Sequence, residues 1–112
     1  MQLNNWAFIY LGTGIENPDV DRAVIEAGGL RTTIVAVPEA SRVVNVAVDL
    51  VRHGAQTIEL CGAFGPTWTA RVIEATGGVV PVGSVNYGQE SIAALVELVG
   101  RGPEPALAQA GD

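Results

Sequence analysis

The feature that most constrains this chain is a pattern that repeats four times. An apolar segment rich in β-branched residues is followed by a turn and then by apolar residues at helical spacing. Strands that alternate with helices in this way are typical of parallel α/β sheets. The apolar residues are mainly Val, Ala, Ile and Leu, as in strands that are buried between helices. A length of 112 residues fits one domain with one core.

Four strands and four helices are predicted from this alternation. The strands are predicted at residues 6–11, 30–37, 56–61 and 79–85, and the helices at residues 17–27, 38–53, 66–76 and 90–99. Proline in the first turn and glycine after the last turn set the boundaries, as Pro18 and Gly28 do for the first helix. The apolar stripe of that helix is Val20, Ala23, Val24 and Ala27.

We predict that these units form one α/β domain over residues 1–100. Its open, parallel, four-stranded sheet has the order 2-1-3-4 and helices on both faces, as in flavodoxin-like or Rossmann-like folds. A half-barrel is the alternative. Pro81 cannot donate to a strand ladder, so the fourth strand is expected at a sheet edge, or to begin at Pro81. Residues 101–112 lack periodicity and are predicted to form a flexible tail.

Composition and charge disfavour several classes of partner and chemistry. The net charge is −6 and all six basic residues are Arg, so no basic face for nucleic acid is indicated. Without Lys, neither a Schiff base nor the phosphate-binding lysine of a P-loop is possible. One Cys and one His cannot supply a zinc site, and no Asp cluster indicates magnesium. We therefore predict neither a metal nor another cofactor.

A cytoplasmic homo-oligomer is expected. No apolar run reaches the ~18 residues that span a bilayer, so no membrane partner is predicted. The N-terminus also lacks the basic region of a secretory signal. A sheet this small leaves two exposed edges and buries limited surface. We expect a homodimer or a larger assembly, formed through an edge or a helix face.

Two motifs give the chain a resemblance to a known family. One is IELCG-x-FGP at residues 58–66, and the other is VPVG-x-V-x-YG at residues 80–88. With the order of the segments between residues 5 and 99, they resemble a family of short bacterial proteins catalogued as a domain of unknown function. The resemblance implies a small α/β fold and transfers no activity.

Glu59 is the leading functional candidate, because a carboxylate is costly to bury in an apolar strand. Desolvation makes a carboxylate easier to protonate, which would suit Glu59 to general acid–base catalysis near neutral pH. The alternative is a buried ion pair with Arg31, Arg42 or Arg71 that fixes the sheet against a helix.

Cys61 is the second catalytic candidate. It lies two residues after Glu59, so both side chains point to one face of a strand, near its C-terminal end. Parallel sheets place their ligand sites at that end. Its thiolate could act as a nucleophile or second base, but His53 is predicted at the opposite end of the strand and cannot activate it. The alternatives for Cys61 are pocket lining and a small apolar filler.

The turn after this strand leads into a helix N-terminus, where backbone N–H groups can hold an anion or enolate oxygen. Its candidate binding residues are Gly62, Gly65 and Thr67. The glycine spacing is neither a Walker motif nor a dinucleotide fingerprint, and a plain tight turn is the alternative. Phe64 and Trp68 are expected either to wall a pocket or to fill the core.

The end of the fourth strand adds polar candidates. The predicted topology places it beside the third strand, so Ser84, Asn86 and Tyr87 would offer hydrogen bonds to a ligand near Glu59. A turn and a helix cap are the alternative roles. Tyr10 ends the first strand and would face the same crevice. The Gly12-Thr13-Gly14 loop after it is only a weak indication of phosphate binding.

Two function classes follow. The first is a cofactor-independent enzyme of isomerase, lyase or cyclase type that acts on a small apolar or aromatic molecule. Glu59 would shuttle a proton, and the turn at residues 62–67 would hold developing negative charge. The second is a non-catalytic binding or sensing module that uses the same crevice. A serine triad is disfavoured because the lone His is misplaced.

Overall fold

The computed structural model describes residues 2–100, which form one five-stranded sheet and three α-helices. The strands are β1 (Asn5–Leu11), β2 (Arg22–Ala27), β3 (Leu30–Val37), β4 (Thr57–Cys61) and β5 (Val82–Val85). The helices are α1 (Val43–Arg52), α2 (Gly65–Ala75) and α3 (Ile92–Gly100). A 3-10 turn precedes each helix, at Ala40–Arg42, Gly62–Phe64 and Gln89–Ser91. The predicted tail lies outside the described residues.

The sheet has the order β2-β3-β1-β4-β5. The four predicted strands correspond to β1, β3, β4 and β5, and they stand in the predicted order relative to one another. Their pairs are parallel, whereas β2 is an additional edge strand antiparallel to β3. The prediction of four strands in a wholly parallel sheet is therefore wrong, and the α/β class is confirmed. The sheet is open, with β2 and β5 at its edges.

The predicted first helix is wrong, because its second half is β2. Asn17 begins a turn instead, and its carbonyl accepts hydrogen bonds from the N–H groups of Val20 and Asp21 at 2.9 and 2.7 Å. Gly28 and Gly29 join β2 to β3 with φ angles of 62° and 78°. Two successive residues with positive φ make the tight hairpin turn that glycine favours. The glycine pair that indicated a helix end is therefore a hairpin turn.

The later elements lie close to their predicted positions. Helix α1, which was predicted to begin at residue 38, begins at Val43, because the 3-10 turn at Ala40–Arg42 precedes it. The last strand is an edge strand that begins after Pro81, whose carbonyl accepts a hydrogen bond from the Ile58 N–H at 3.0 Å. Helix α3, which corresponds to the fourth predicted helix, begins at Ile92 rather than at residue 90. No helix within residues 2–100 is long and apolar enough to cross a membrane.

Helices α1 and α2, which connect β3 to β4 and β4 to β5, pack on one face of the sheet, which we call the helix face. The chain moves from β3 to β4 and then from β4 to β5, in the same direction across the sheet. Right-handed crossovers in one direction place their helices on one side. The main buried core lies here: Ala7, Ile9, Val35, Val37, Val43, Val46, Ala47, Leu50, Ala55, Ile58, Leu60, Phe64 and Val72.

The opposite side of the sheet, which we call the second face, has no crossover helix. In a doubly wound fold, the connection from β1 to β3 would supply one, but here that connection contains the strand β2. Among the helices of residues 2–100, α3 alone approaches this face, where its residues line a cleft with residues of β1, β4 and β5. Helices thus flank both faces, but unequally.

Candidate functional site

A cleft of about 790 Å³ lies between α3 and the second face of the sheet. On the sheet it extends from Phe8, in the middle of β1, to the C-terminal ends of β4 and β5. The connections change direction between β1 and β4, because β1 leads towards β3 on one side and β3 leads back to β4 on the other. Open α/β sheets bind ligands at such switch points. The lining residues are Phe8, Cys61, Gly62, Ala63, Val85, Asn86, Tyr87, Ile92, Leu95 and Val99.

Strand register places Glu59 beside this cleft. Glu59 pairs with Phe8 on β1 and with Gly83 on β5, so these residues share the second face. Its side chain does not line the cleft, but it is two residues from Cys61 and adjacent to Phe8, which both do. Glu59 is half-buried, and within residues 2–100 it makes no ion pair with an arginine. The ion-pair alternative for this carboxylate is therefore not observed in the described part of the chain.

Gly83 leaves space next to Glu59. A Cβ atom built at Gly83 would meet no heavy atom within 4 Å, so the surface on the β5 side of Glu59 is open. A larger residue on the edge strand would instead flank the carboxylate. The gap gives a ligand access to Glu59 from the edge of the sheet.

Cys61 lines the cleft with its thiol already engaged. The backbone N–H of Leu11, at the end of β1, donates to Cys61 Sγ at 3.3 Å. His53 lies elsewhere, just after α1, where its Nδ1 is 2.8 Å from the carbonyl oxygen of Asp49. It lines a different cavity, on the helix face, together with Asn5. Cys61 therefore has a hydrogen-bond donor but no histidine base, as its position in the sequence predicts.

Gly62 sets how closely the ends of β4 and β5 approach. A Cβ atom at Gly62 would lie 2.7 Å from the carbonyl oxygen of Val85 and 3.3 Å from Asn86 Oδ1. Backbone cannot yield as a flexible side chain does, so only glycine fits without a shift. This contact holds Asn86 and Tyr87 at the same cleft as Cys61.

The structure divides the remaining candidates between two sites. Gly65, whose φ is 76°, lies with Ser84 in a smaller cavity of about 370 Å³ on the helix face, at the start of α2. Gly62 and Asn86 line both cavities. Ser84 faces this way because it pairs with Leu60, a core residue. Thr67 is exposed in the first turn of α2.

The aromatic candidates have different surroundings. Phe64 is 4% exposed and belongs to the core, so of its two predicted roles it has that of filling the core. Trp68 packs partly buried against that core, and the guanidinium of Arg71 lies 4.5 Å from its ring centroid. Tyr10 is 40% exposed and pairs with Ala36 on the second face. Tyr87 is 66% exposed at the rim of the cleft.

The glycine-containing loop after β1 binds a carboxylate of its own chain. The backbone N–H groups of Thr13, Gly14 and Ile15 donate to the Glu16 carboxylate at 2.8–3.2 Å, and Thr13 Oγ1 donates at 2.8 Å. These bonds, with the Thr13 N–H first, lower the pKa of Glu16 from 4.5 to about 2. The loop has the geometry of an anion-binding turn, but Glu16 occupies it.

The sequence patterns did not identify six of the ten residues that line the cleft. The residues that were not predicted are Phe8, Ala63, Val85, Ile92, Leu95 and Val99. The last three lie on one stripe of α3, whose apolar residues extend around the helix. Such a helix normally requires burial on several sides, and that signal was present in the sequence. Within residues 2–100, no group of three His, Cys, Asp or Glu residues is arranged to hold a metal ion.

Comparison with known proteins gives one match. Residues 4–100 match a family of unknown function (DUF6506), and the chain belongs to this family. No curated protein and no solved structure shows significant similarity to the chain. Family membership agrees with the resemblance found in the sequence and assigns no reaction.

Proposed function

We propose that this member of the DUF6506 family binds a small, mainly apolar or aromatic molecule in the cleft beneath α3 and exchanges a proton with it through Glu59. The reaction would be of isomerase, lyase or cyclase type and would need no cofactor. The observation that carries the proposal is an apolar cleft that extends from the middle of β1 to the C-terminal ends of β4 and β5, beside a half-buried glutamate that has no arginine partner in residues 2–100.

The size and lining of the cleft support a small ligand. Clefts that bind small molecules have volumes of about 300–1,000 Å³, apolar walls and a few polar groups that orient the ligand. This cleft, at about 790 Å³, has such walls in Phe8, Leu95 and their neighbours. Asn86 and Tyr87 supply an amide and a phenol at its rim. A polyanion would find no basic residue among the lining residues.

The position of Glu59 supports proton transfer rather than nucleophilic attack. A carboxylate can remove a proton from a carbon next to a carbonyl group and return it to another carbon, which moves a double bond without consuming a reagent. The developing enolate would need hydrogen-bond donors, which we assign to the Gly62–Ala63 backbone at the cleft. Phe8 and Cys61 give the carboxylate weakly polar neighbours on the same face of the sheet.

Ligand binding is tested by NMR with a panel of uncharged aromatic ketones and phenols. We expect shifts of the amide signals of Cys61, Gly62 and Tyr87, because these residues line the cleft. Leu95→Trp should fill the cleft and abolish these shifts. Val79→Trp is the control, since Val79 is 75% exposed in the turn after α2 and does not line the cleft. Equal shifts in both variants would contradict binding at this site.

Proton transfer is tested by exchange of deuterium from D2O into the carbon next to the carbonyl of the ketones that bind. The wild-type protein should accelerate this exchange, and Glu59→Gln should reduce the acceleration by about 10²–10⁴-fold while the binding shifts remain. Glu74→Gln, an exposed glutamate on α2, is the control and should match the wild type. Exchange that is equally fast in Glu59→Gln would exclude Glu59 as the base.

A non-catalytic binding or sensing module is the second candidate. Two observations favour it: Glu59 lies beside the cleft lining rather than within it, and Cys61 has no base next to its thiol. This candidate predicts the same binding shifts and the same loss in Leu95→Trp. It differs in predicting that the wild-type protein does not accelerate exchange into any bound ketone.

A further inference from the structure

We infer that a second copy of this chain docks on the second face of the sheet, so that α3 of each copy lies against the uncovered strands of the other. Two apolar surfaces of the single chain lead to this conclusion. One is the second face at β1, β3 and β2, and the other is the part of α3 that its own sheet does not contact. The inference does not depend on the proposed function.

The second face is apolar and almost free of charge. Strand register assigns to it alternate residues of all five strands. Within these described strands, Glu59 is its only charged residue. The other residues are Trp6, Phe8, Tyr10, Ala23, Ile25, Ala27, Leu30, Thr32, Ile34, Ala36, Thr57, Cys61, Gly83 and Val85. Depletion of charge at the centre of a patch is typical of protein–protein interfaces.

The part of this face away from α3 is uncovered. Ile25, on edge strand β2, is 56% exposed, and Ile34 on β3 is only half-buried. On β3 the two faces differ, because Val35 is 0% exposed beside the half-buried Ile34, although Ala36 at the end of the second face is also 0% exposed. Edge strand β2 is exposed on both faces, with Val24 at 43% on the helix face. Within residues 2–100, the central part of β3 is thus covered completely on the helix face and only partly on the second face.

Helix α3 is apolar on more sides than its own sheet can cover. Ile92, Leu95 and Val99 line the cleft, while Val96 and Leu98 flank this stripe and are 59% and 72% exposed. Glu97 is the one charged residue of α3, so the helix is apolar on most of its sides. A helix with such a wide apolar surface is normally buried within a larger structure. Within residues 2–100, α3 lies largely at the surface, so an apolar surface outside these residues would be needed to cover it.

The two surfaces are complementary under twofold symmetry. They lie side by side on the second face, with α3 above β4 and β5 and the uncovered strands next to it. A twofold axis between them brings α3 of each copy over the uncovered strands of the other, and both surfaces are covered at once. Such a closed, isologous contact is the commonest arrangement of homodimers.

The exposed apolar area is large enough for a stable dimer. The area includes the rim of the cleft, which a partner at this face would also cover. Eight apolar side chains are then 40–72% exposed: Tyr10, Ile25, Val96 and Leu98 outside the cleft, and Val85, Tyr87, Ile92 and Val99 at the cleft. At about 150–200 Å² for a fully exposed side chain of this size, they present roughly 800 Å², which is what one partner buries in a standard interface. Patches on monomers are usually smaller, at about 300–600 Å².

Docking at this face would also complete the surroundings of the cleft. The partner would cover the outer side of α3, which removes that side from bulk water. The cleft would then lie near the interface between the copies, and its ligand would be enclosed by protein.

The dimer is tested by light scattering on the full chain, with two neighbouring residues of β2 as a matched pair. The wild type should have twice the chain mass of 11.6 kDa. Ile25→Arg places a charge on the second face and should give the monomer mass. Val24→Arg is the control, because Val24 is 43% exposed on the same strand but pairs with Thr33 on the helix face, so the dimer should persist.

Three results would overturn the inference. They are a wild-type protein that stays at the monomer mass up to several hundred micromolar, a dimer that both variants retain, and a dimer that only Val24→Arg breaks. A monomer whose Ile25 is nevertheless protected from solvent would assign the face to another part of the chain and also reject a second copy.

A measurement on the wild type keeps the test independent of how the variants fold. In a mixture of isotope-labelled and unlabelled chains, filtered NMR spectra detect only contacts between copies. We expect such contacts between the methyl groups of Ile25 and those of Val96 or Leu98. A dimer that lacks every contact between α3 and β2 or β3 of its partner would place the interface elsewhere.

Discussion

The two faces of the sheet are made by the same strands but are covered to very different degrees. On the helix face, Ile9, Val35 and Ile58 are 0% exposed, whereas on the second face Tyr10 and Ile25 are 40% and 56% exposed. Because side chains alternate along a strand, neighbouring residues supply both sets. The helix face carries the main core of residues 2–100, and the second face carries the cleft and the surface that we propose for a second copy.

This difference originates in the connection between β1 and β3. The two crossovers that follow β3 move across the sheet in one direction, so the right-handed rule places α1 and α2 together. Within residues 2–100, the connection that could have placed a crossover helix on the second face contains β2 instead. That face is shared by α3 and by the ligand and second copy that we propose. A local choice between helix and strand thus decides which face is open to the proposed binding.

The largest expected effect is on the helix face of β4. Ile58→Ala removes a side chain that is 0% exposed and should lower the free energy of unfolding by about 2–5 kcal/mol. Glu59→Gln, on the next residue and the other face, should change it by less than about 1 kcal/mol. Urea unfolding measures both changes in the free energy of unfolding, provided that this free energy falls with urea concentration at the same slope in each variant. If Glu59→Gln costs as much as Ile58→Ala, Glu59 is a structural residue and the contrast between the faces fails.

An intermediate effect is expected where β4 and β5 end. Gly62→Ala puts a Cβ atom 2.7 Å from the Val85 carbonyl oxygen, so the backbone must shift, at a cost of about 1–3 kcal/mol. The same shift should weaken ligand binding in the cleft. Gly83→Ala, where a Cβ atom meets nothing within 4 Å, should be neutral or stabilise the chain by up to about 1 kcal/mol. Equal unfolding midpoints for the two variants would show that the ends of the strands are not held by this contact.

The smallest effect is expected at Glu16, on the loop after β1, because its surface position is screened by solvent. Its pKa is lowered from 4.5 to about 2, so its stabilising contribution is complete above pH 4.5 and is lost as the pH falls towards 2. The stability advantage of the wild type over Glu16→Gln should therefore shrink over this range.

The lowered pKa of Glu16 can be checked directly by NMR titration of its carboxyl carbon, which should have its midpoint near pH 2. Thr13→Val removes the hydroxyl donor and should move that midpoint upwards, while the backbone donors remain. A wild-type midpoint near 4.5 would mean that the loop does not hold the carboxylate, and that its N–H groups are free for another anion.

The order of the parallel strands could be predicted from the sequence because it follows from local signals. Apolar β-branched segments and glycine stops gave β1, β3, β4 and β5, and right-handed connections gave their relative order. The error at β2 has a physical cause, since Val20, Ala23, Val24 and Ala27 fit a helical stripe as well as they fit a short strand. Pairing with β3 decides between the two, and pairing between separate segments is not encoded in local periodicity.

The candidate site shows the same division. The shared face of Glu59 and Cys61 followed from their spacing, and Gly62, Asn86 and Tyr87 do lie at the cleft with Cys61. Phe64 and Trp68 had two possible roles in the sequence, and their spacing could not separate a pocket wall from a core position.

The far wall of the cleft could not be predicted either. Its residues lie on α3, more than thirty positions after β4, and only the folded chain brings the two together.

The sequence by itself determined the strands, most of the helices and the face to which each strand residue points, because these depend on local propensity and on the fixed period of side chains. The tertiary structure decided which face would be covered. Coverage depends on where each connection crosses the sheet, and that required β2 to pair with β3 and α3 to lie over the second face. The cleft and the surface proposed for a second copy are consequences of that coverage, so they become visible only in the folded chain.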